Sequence, residues 1–264
     1  MARHASFAWA EVGRGRGSDR SLTAPPLLLL AIFLVALLYA SVGHAGASGY
    51  IAMMALLGVG VEQIRPTALV LNLVVATIGT VLFARAGHFS WRRFWPFAIT
   101  APAMAYLGGA LPLPVVTLRL VLGIVLLLSA IRLFATRGAT RELRPLPPAI
   151  GLALGAGIGF LAGLTGTGGG IFLTPLLLFA GWATAKQAAA VSAPFILLNS
   201  LAGLGGYNQA GLAIPALAPA LAVAALAGGF VGARLGATRL PEPRLRLLLA
   251  VVLGIASGKL LFFS

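Results

Sequence analysis

The run Leu164-Thr165-Gly166-Thr167-Gly168-Gly169-Gly170-Ile171-Phe172-Leu173-Thr174-Pro175 constrains this chain more than any other stretch. Its glycines and hydroxyls lie between two long apolar segments. Glycine loses more backbone entropy on ordering than any other residue and is costly inside a helix. A glycine cluster at that place therefore predicts a broken helix with unpaired backbone amides. In lipid, such amides must face protein or a water-filled cavity. The expected product is a polar site made of backbone and hydroxyl groups. The competing role for the same glycines is close helix packing, which small residues also serve in membranes.

Composition makes the surroundings a membrane. The chain is 59% hydrophobic and 9% charged with a mean hydropathy of +1.00, against roughly 45–50% and about 25% in soluble proteins. All five acidic residues, Glu11, Asp19, Glu62, Glu142 and Glu242, fall in the N-terminal stretch or between apolar runs. About eight to ten spans of roughly 20 residues would use nearly the whole chain. The 19 basic and 5 acidic residues give a net charge of +14. The basic residues cluster at the ends of apolar runs, which points to loops facing anionic cytoplasmic lipid and away from nucleic acid. The chain has no cysteine, so disulfides, thiolate catalysis and cysteine-ligated metals are excluded.

At the N-terminus, Arg14, Arg16 and Arg20 precede the apolar run from Leu27 to Ala40, with small residues after it, a pattern shared with removable signal peptides. Apolar character resumes almost at once, however, and the run has a counterpart later in the chain. It reads as the first transmembrane helix, behind a disordered tail of residues 1–24.

Two halves of the chain resemble each other in order. Gly46-Ala47-Ser48-Gly49-Tyr50-Ile51 corresponds to Gly166-Thr167-Gly168-Gly169-Gly170-Ile171, Asn72 to Asn199, and Gly108-Gly109 to Gly228-Gly229. Ala86-Gly87-His88 likewise matches Ala210-Gly211-Leu212, and Pro112-Leu113-Pro114 matches Pro241-Glu242-Pro243. Such duplication is characteristic of secondary transporters, whose site lies between the repeats. The expected organisation is an all-α polytopic bundle with repeat 1 at 25–135, a cytoplasmic linker at 136–147 and repeat 2 at 148–264. Each half reads as five apolar segments. The second of each is about 14 residues, or about 21 Å of helix, short of the roughly 30 Å hydrocarbon core. It must be tilted, re-entrant, or begin inside the bundle. If every segment crosses, the arginine loops around Arg85 to Arg93, Arg137 to Arg144 and Arg239 to Arg246 all fall on the cytoplasmic side, and the halves are inverted. If both short segments re-enter, there are eight crossings and the halves are parallel. Five plus five inverted is the expected arrangement.

The sequence resembles the sulfite exporter (TauE/SafE-type) family, also called the toluene-sulfonate uptake permease family. The residues that carry the resemblance in the second half are Gly166-Thr167-Gly168-Gly169-Gly170 with Pro175, and Ala188-Ala189-Ala190-Val191-Ser192 leading to Asn199-Ser200-Leu201-Ala202-Gly203. In the first half they are Val42-Gly43-His44-Ala45-Gly46-Ala47-Ser48-Gly49-Tyr50, Arg65-Pro66-Thr67-Ala68-Leu69-Val70-Leu71-Asn72 and Gly87-His88-Phe89. The first copy lacks the glycine triplet and the downstream proline. The resemblance implies transport of small sulfur-containing anions such as sulfite, sulfonates or sulfoacetate, or of related organic anions.

The residues fit that implication. A helix starting near Gly169 or Gly170 offers free amides and the positive end of its dipole to an anion. Thr165 and Thr167 add hydroxyl donors, and Ser48 with the amides near Gly49 can approach from the opposite side. Asn72 and Asn199 are further candidates, because an intramembrane amide usually faces the interior. The candidate substrate site is thus Gly166, Thr167, Gly168, Gly169, Gly170, Asn199, Asn72, Ser48, Gly49 and Thr165. Ser192, Gln187 and Thr67 are weaker, since hydroxyls in membrane helices often bond their own backbone. His44 is a candidate for carrying a coupled proton, against a structural role beside a tight turn.

A secondary transporter of the bacterial inner membrane, acting on a small anion without a cofactor or metal, is the leading reading. It would work as a monomer or homodimer in contact with lipid. An anion channel of the same architecture and a carrier of non-sulfur carboxylates are alternatives. An intramembrane enzyme fares poorly, because no core segment carries an acid, a metal-ligand cluster or a nucleophile–base pairing. No nucleotide-binding motif suggests a pump.

Overall fold

The computed structural model describes residues 25–111, 116–135, 143–209 and 214–262. The expected tail, the part of the linker with Arg137 and Arg141, and the segments Pro112-Leu113-Pro114 and Ala210-Gly211-Leu212 lie outside the described residues. The helices are α1 (Pro26–Ser41), α2 (Ala47–Leu56), α3 (Val61–Arg85), α4 (Trp91–Ala110), α5 (Val116–Ala135), α6 (Pro148–Thr165), α7 (Gly170–Phe179), α8 (Ala185–Gln209), α9 (Ala218–Arg234) and α10 (Glu242–Phe262). A π-helical turn, Leu235–Arg239, prolongs α9. No strand occurs among the described residues.

The starts and stops follow from local chemistry. Pro26 and Pro148 stand in the first turns of α1 and α6, where their missing N–H is no loss. Gly166 ends α6 in the left-handed region at φ 71°, and Gly169, at φ 80°, precedes α7. Gly46 does the same before α2 at φ 104°. The N-terminus of α8 is capped twice over. Thr184 and Gln187 bond each other's backbone amides at 3.2 and 3.3 Å, a capping box. The Glu242 carboxylate accepts from the amides of Ala185 and Lys186 at 2.9 and 3.1 Å. Gln187, a weak site candidate by sequence, is thus occupied in capping the start of a helix.

The outer faces are as apolar as the core. On α1, Leu27, Leu30 and Leu34 are exposed while Leu28, Ile32 and Ala36 are buried. On α9, Val223, Leu226 and Phe230 are exposed while Leu221 and Ala225 are buried. A helix that is apolar all round belongs in lipid when one face is uncovered. Among the described residues, four helices, Glu62–Arg85, Pro148–Thr165, Ala185–Tyr207 and Ala218–Arg239, are long and apolar enough to cross a membrane.

Small residues set the packing. On α6, Gly151, Gly155, Gly159 and Gly163 lie against Pro96, Phe97, Ala101 and Ala105 of α4 in the same order, so the two helices run parallel. At Gly159 and Gly163 an added Cβ would strike the α4 backbone, the close approach that small residues every fourth position allow. Gly228, Gly232 and Gly236 lie in the same way on Phe33, Leu37 and Ser41, so the α9 strand of helix and π-turn runs parallel to α1. By contrast, α3 and α8 run antiparallel. Gly203 faces Leu69, Ser200 bonds Asn72, and Gly79 faces Ala193. The Ser257 hydroxyl of α10 donates to the Gly123 carbonyl of α5 at 2.8 Å.

One end of the bundle gathers the basic connections. His88, after α3, bonds the Ala237 carbonyl at the end of α9 at 3.1 Å. The Glu242 cap joins the α9–α10 turn to the start of α8. The Arg144 amide, just before α6, donates to the Gly181 carbonyl between α7 and α8 at 2.8 Å.

Candidate functional site

The two broken regions meet at one cavity. A small cavity of ≈ 10 Å³ is lined by Gly46, Ala47 and Ser48 at the start of α2, by Thr167 and Ile171 at the start of α7, and by Tyr39, His44, Ala45 and Ile196. That is space for about one water molecule.

The amides around it are free. From Thr167 to Ile171, no backbone N–H donates to a backbone carbonyl among the described residues, and the α7 ladder begins at Phe172 and Leu173, both bonded to the Gly169 carbonyl at 3.1 Å. From Ala45 to Gly49 the same holds, and the α2 ladder begins where the Tyr50 amide meets the Gly46 carbonyl at 2.9 Å. Helix starts leave such donors unsatisfied and carry the positive end of the macrodipole. Two of them therefore converge on one buried space.

The side chains divide into those that reach this space and those that do not. His44, Ser48 and Thr167 line it. The Ser48 hydroxyl donates to the Tyr39 hydroxyl at 3.0 Å, so it is anchored to α1. The Tyr50 hydroxyl donates to the Ala45 carbonyl and braces the same turn. Thr165 and Thr167 share a hydroxyl–hydroxyl bond of 2.8 Å, and the Thr165 hydroxyl also lies 2.7 Å from the Leu161 carbonyl. Thr165 is thereby committed mostly to its own helix, a local bond common for threonine. Gly49 turns away from the cavity: a Cβ there would meet Val35 and Tyr39 of α1.

The second loop is held by its neighbours. At Gly168, with φ +74°, a Cβ would come within 2.7 Å of the Ile196 methyl, 2.9 Å of the Asn72 amide nitrogen and 2.9 Å of the Ser200 hydroxyl. At Gly169 it would meet Phe195, Ala162 and Ile158, and at Gly170 it would meet Ile196 and His44. At Gly166 it would come within 2.8 Å of the Arg65 stem. Asn72 donates to the Ser200 hydroxyl at 3.2 Å, while its carbonyl oxygen has no partner. Asn199 is buried with neither amide atom paired, and the buried Thr67 hydroxyl is likewise unpaired. Unpaired buried polar groups of this kind are uncommon in folded proteins.

Three groups in this region were not singled out by sequence. The half-buried Arg65 donates through Nη2 to the carbonyls of Gly108, Gly109 and Gly163. It closes the C-terminal ends of α4 and α6, whose last carbonyls lack intrahelical partners, and its guanidinium lies 5.5 Å from the centre of the Tyr207 ring. Thr174 bridges His44 Nε2, at 3.0 Å, and the Ser192 hydroxyl, at 2.7 Å. Ser200 holds Asn72 against the glycine loop. Among the described residues no group of acids and histidines is placed to hold a metal ion.

An all-helical body with apolar outer faces and a polar site between broken helices is a membrane protein of the solute-carrier kind. The model of the sulfite exporter TauE/SafE family matches residues 28–260, and the chain belongs to that family. A probable membrane transporter protein of Sinorhizobium fredii is 45% identical over 242 residues, covering 89% of this chain and 97% of the relative. A probable membrane transporter protein of Methanocaldococcus jannaschii is 25% identical over 257 residues, covering 87% and 92%. No solved structure gives a significant match. The chain is a membrane transporter of the TauE/SafE type.

Proposed function

We propose that the chain is a secondary transporter of small sulfur-containing or organic anions, of the sulfite, sulfonate and sulfoacetate kind, in the bacterial inner membrane. The substrate's oxyanion head is held between the N-termini of α2 and α7. The observation that carries this reading is a pair of free amide runs that border one cavity, the first through Ala45 to Ser48 and the second through Thr167 and Ile171. Opposed helix N-termini attract anions without a buried cation. His44, Ser48 and Thr167 supply side-chain donors, and Asn72 braces the second loop.

The cavity, at ≈ 10 Å³, is too small for an oxyanion. Substrate entry then requires the two loops to separate, which favours a carrier that alternates over an open pore. The inverted five-plus-five arrangement supplies the two moving bodies. It is supported by α2 and α7 having 10 residues each and α3 and α8 having 25 each. The parallel pairs α1 with α9 and α6 with α4 exchange under an in-plane two-fold axis, and the antiparallel α3 and α8 straddle it. Gly108 faces α6 and Gly109 faces α8, as Gly228 faces α1 and Gly229 faces α3, though Gly108 meets the last turns of α6 and Gly228 the middle of α1. The arginine-rich end is cytoplasmic by the positive-inside rule.

Counterflow in proteoliposomes tests the reading. Vesicles preloaded with unlabelled sulfite or sulfoacetate should accelerate uptake of the labelled anion. Anion flux without trans-stimulation would indicate a channel, and no flux of any sulfur oxyanion would remove the substrate class.

A further inference from the structure

A second polar cavity, of ≈ 210 Å³, lies at the arginine-rich end, where the N-terminus of α4 meets the extended segment 143–147 leading into α6. Its walls carry Ser90, Arg92, Arg93 and Arg144 over the apolar surface of Pro145 and Leu146. None of the three guanidinium groups has a carboxylate partner among the described residues. Ser90 stands before the helix with extended backbone and makes no side-chain cap. The Arg93 and Phe94 amides are bonded to its carbonyl, which leaves the Trp91 and Arg92 amides without a backbone acceptor among the described residues. Trp91, the first residue of α4, is 64% exposed, in the manner of an aromatic residue at a membrane–water interface.

We propose that this cavity binds a phosphate group, and specifically the phosphodiester head of an anionic phospholipid of the inner leaflet. Arginine presents a planar set of donors that matches phosphate oxygens in pairs. Three such groups from two separate elements can surround one head. The free amides at the start of α4 add donors of the same sign. Basic pockets between helices at the cytoplasmic face bind lipid heads by this chemistry. The ligand would pin the linker before α6 to the start of α4, thereby joining the two halves at their cytoplasmic end. The site is separate from the cavity between α2 and α7; it rests on the membrane orientation proposed above but not on the substrate assigned there.

Native mass spectrometry of the full chain in maltoside micelles tests this. Phosphatidylglycerol and phosphatidylethanolamine are titrated separately, and inorganic phosphate is then added as competitor. Arg92→Gln/Arg93→Gln/Arg144→Gln should weaken phosphatidylglycerol binding by on the order of 100-fold, since each surface cation contributes about a five-fold factor. Arg85→Gln/Arg234→Gln/Arg239→Gln removes the same charge from exposed positions at that end and should leave a tight adduct. Arg144→Ala, which alters only the extended segment, should weaken binding by itself and guards against misfolding of α4. Competition by phosphate at low millimolar concentration would make free phosphate the ligand of the same site. Equal phosphatidylglycerol binding by the wild type, Arg144→Ala and the cavity triple variant would overturn the proposal.

Discussion

His44 Nε2 lies 2.9 Å from the carbonyl oxygen of Gly170, 126 residues away in the chain. A carbonyl only accepts, so Nε2 carries the proton, and the neutral ring's Nδ1 is left as a buried acceptor without a partner. The bond ties the turn before α2 to the first residue of α7, and Thr174 and Ser192 continue it into α8. In this conformation the two helix starts are therefore joined through one imidazole.

Loss of this tie should be felt in binding and in stability together. His44→Ala is expected to lower substrate affinity and to destabilise the protein by about 1–3 kcal/mol, the usual cost of stranding a buried hydrogen-bonding group. His44→Gln, whose amide can still donate to Gly170, should restore most of the stability. If His44 also carries a coupled proton, His44→Gln keeps counterflow but loses uptake driven by a pH gradient. Unchanged gradient-driven uptake in that variant assigns His44 to structure alone.

The glycine loop gives a steric test. Gly170→Val should abolish transport while leaving the protein inserted, because its side chain would run into Ile196 and His44. The double variant Gly170→Ala/Ile196→Ala makes room and should recover transport over Gly170→Ala. Gly169→Val, at positive φ and against Phe195, should be inactive with or without such relief, since its backbone conformation itself is disfavoured. Wild-type affinity in both valine variants would reduce these glycines to packing.

Asn199 separates function from stability. Both its amide atoms are buried without partners, so Asn199→Leu should leave the melting temperature equal or higher, as replacing an unpaired polar group by an apolar one of similar shape does. Transport should nevertheless fall, and Asn199→Ala should weaken substrate binding by about 1–3 kcal/mol. A variant with wild-type transport would place Asn199 outside the site.

Topology is read by labelling, which is clean in a chain without cysteine. Single cysteines at Arg144 and Arg244 should react only from the cytoplasm, and those at Leu111 and Ile214 only from outside. Labelling of position 144 or 244 from the periplasm would contradict the inverted arrangement.

Much of the helical layout was legible. The short second segments expected in the two halves are α2 and α7, each preceded by glycine at positive φ. Side-chain roles were less so, because residue type does not say which way a group points. Gly49 is a site candidate by sequence and packs on α1, and Gln187 is a weaker polar candidate and caps α8. Arg65 was visible only as part of a motif. Its partners Gly108, Gly109 and Gly163 are carbonyls from two distant helix ends, which no local pattern reveals. The four-residue spacing of Gly151, Gly155, Gly159 and Gly163 was in plain view, yet its meaning depends on α4 lying beside it.

Competition in reconstituted vesicles tests the anion site most directly. If backbone amides at two helix starts hold the substrate, selectivity follows the charged oxyanion head more than the organic tail, because apolar walls discriminate by only about 1–3 kcal/mol per methylene. Sulfite and short sulfonates should compete with one another for uptake, and neutral sulfones and amines of the same size should not. Strong inhibition by the neutral sulfone would contradict the account.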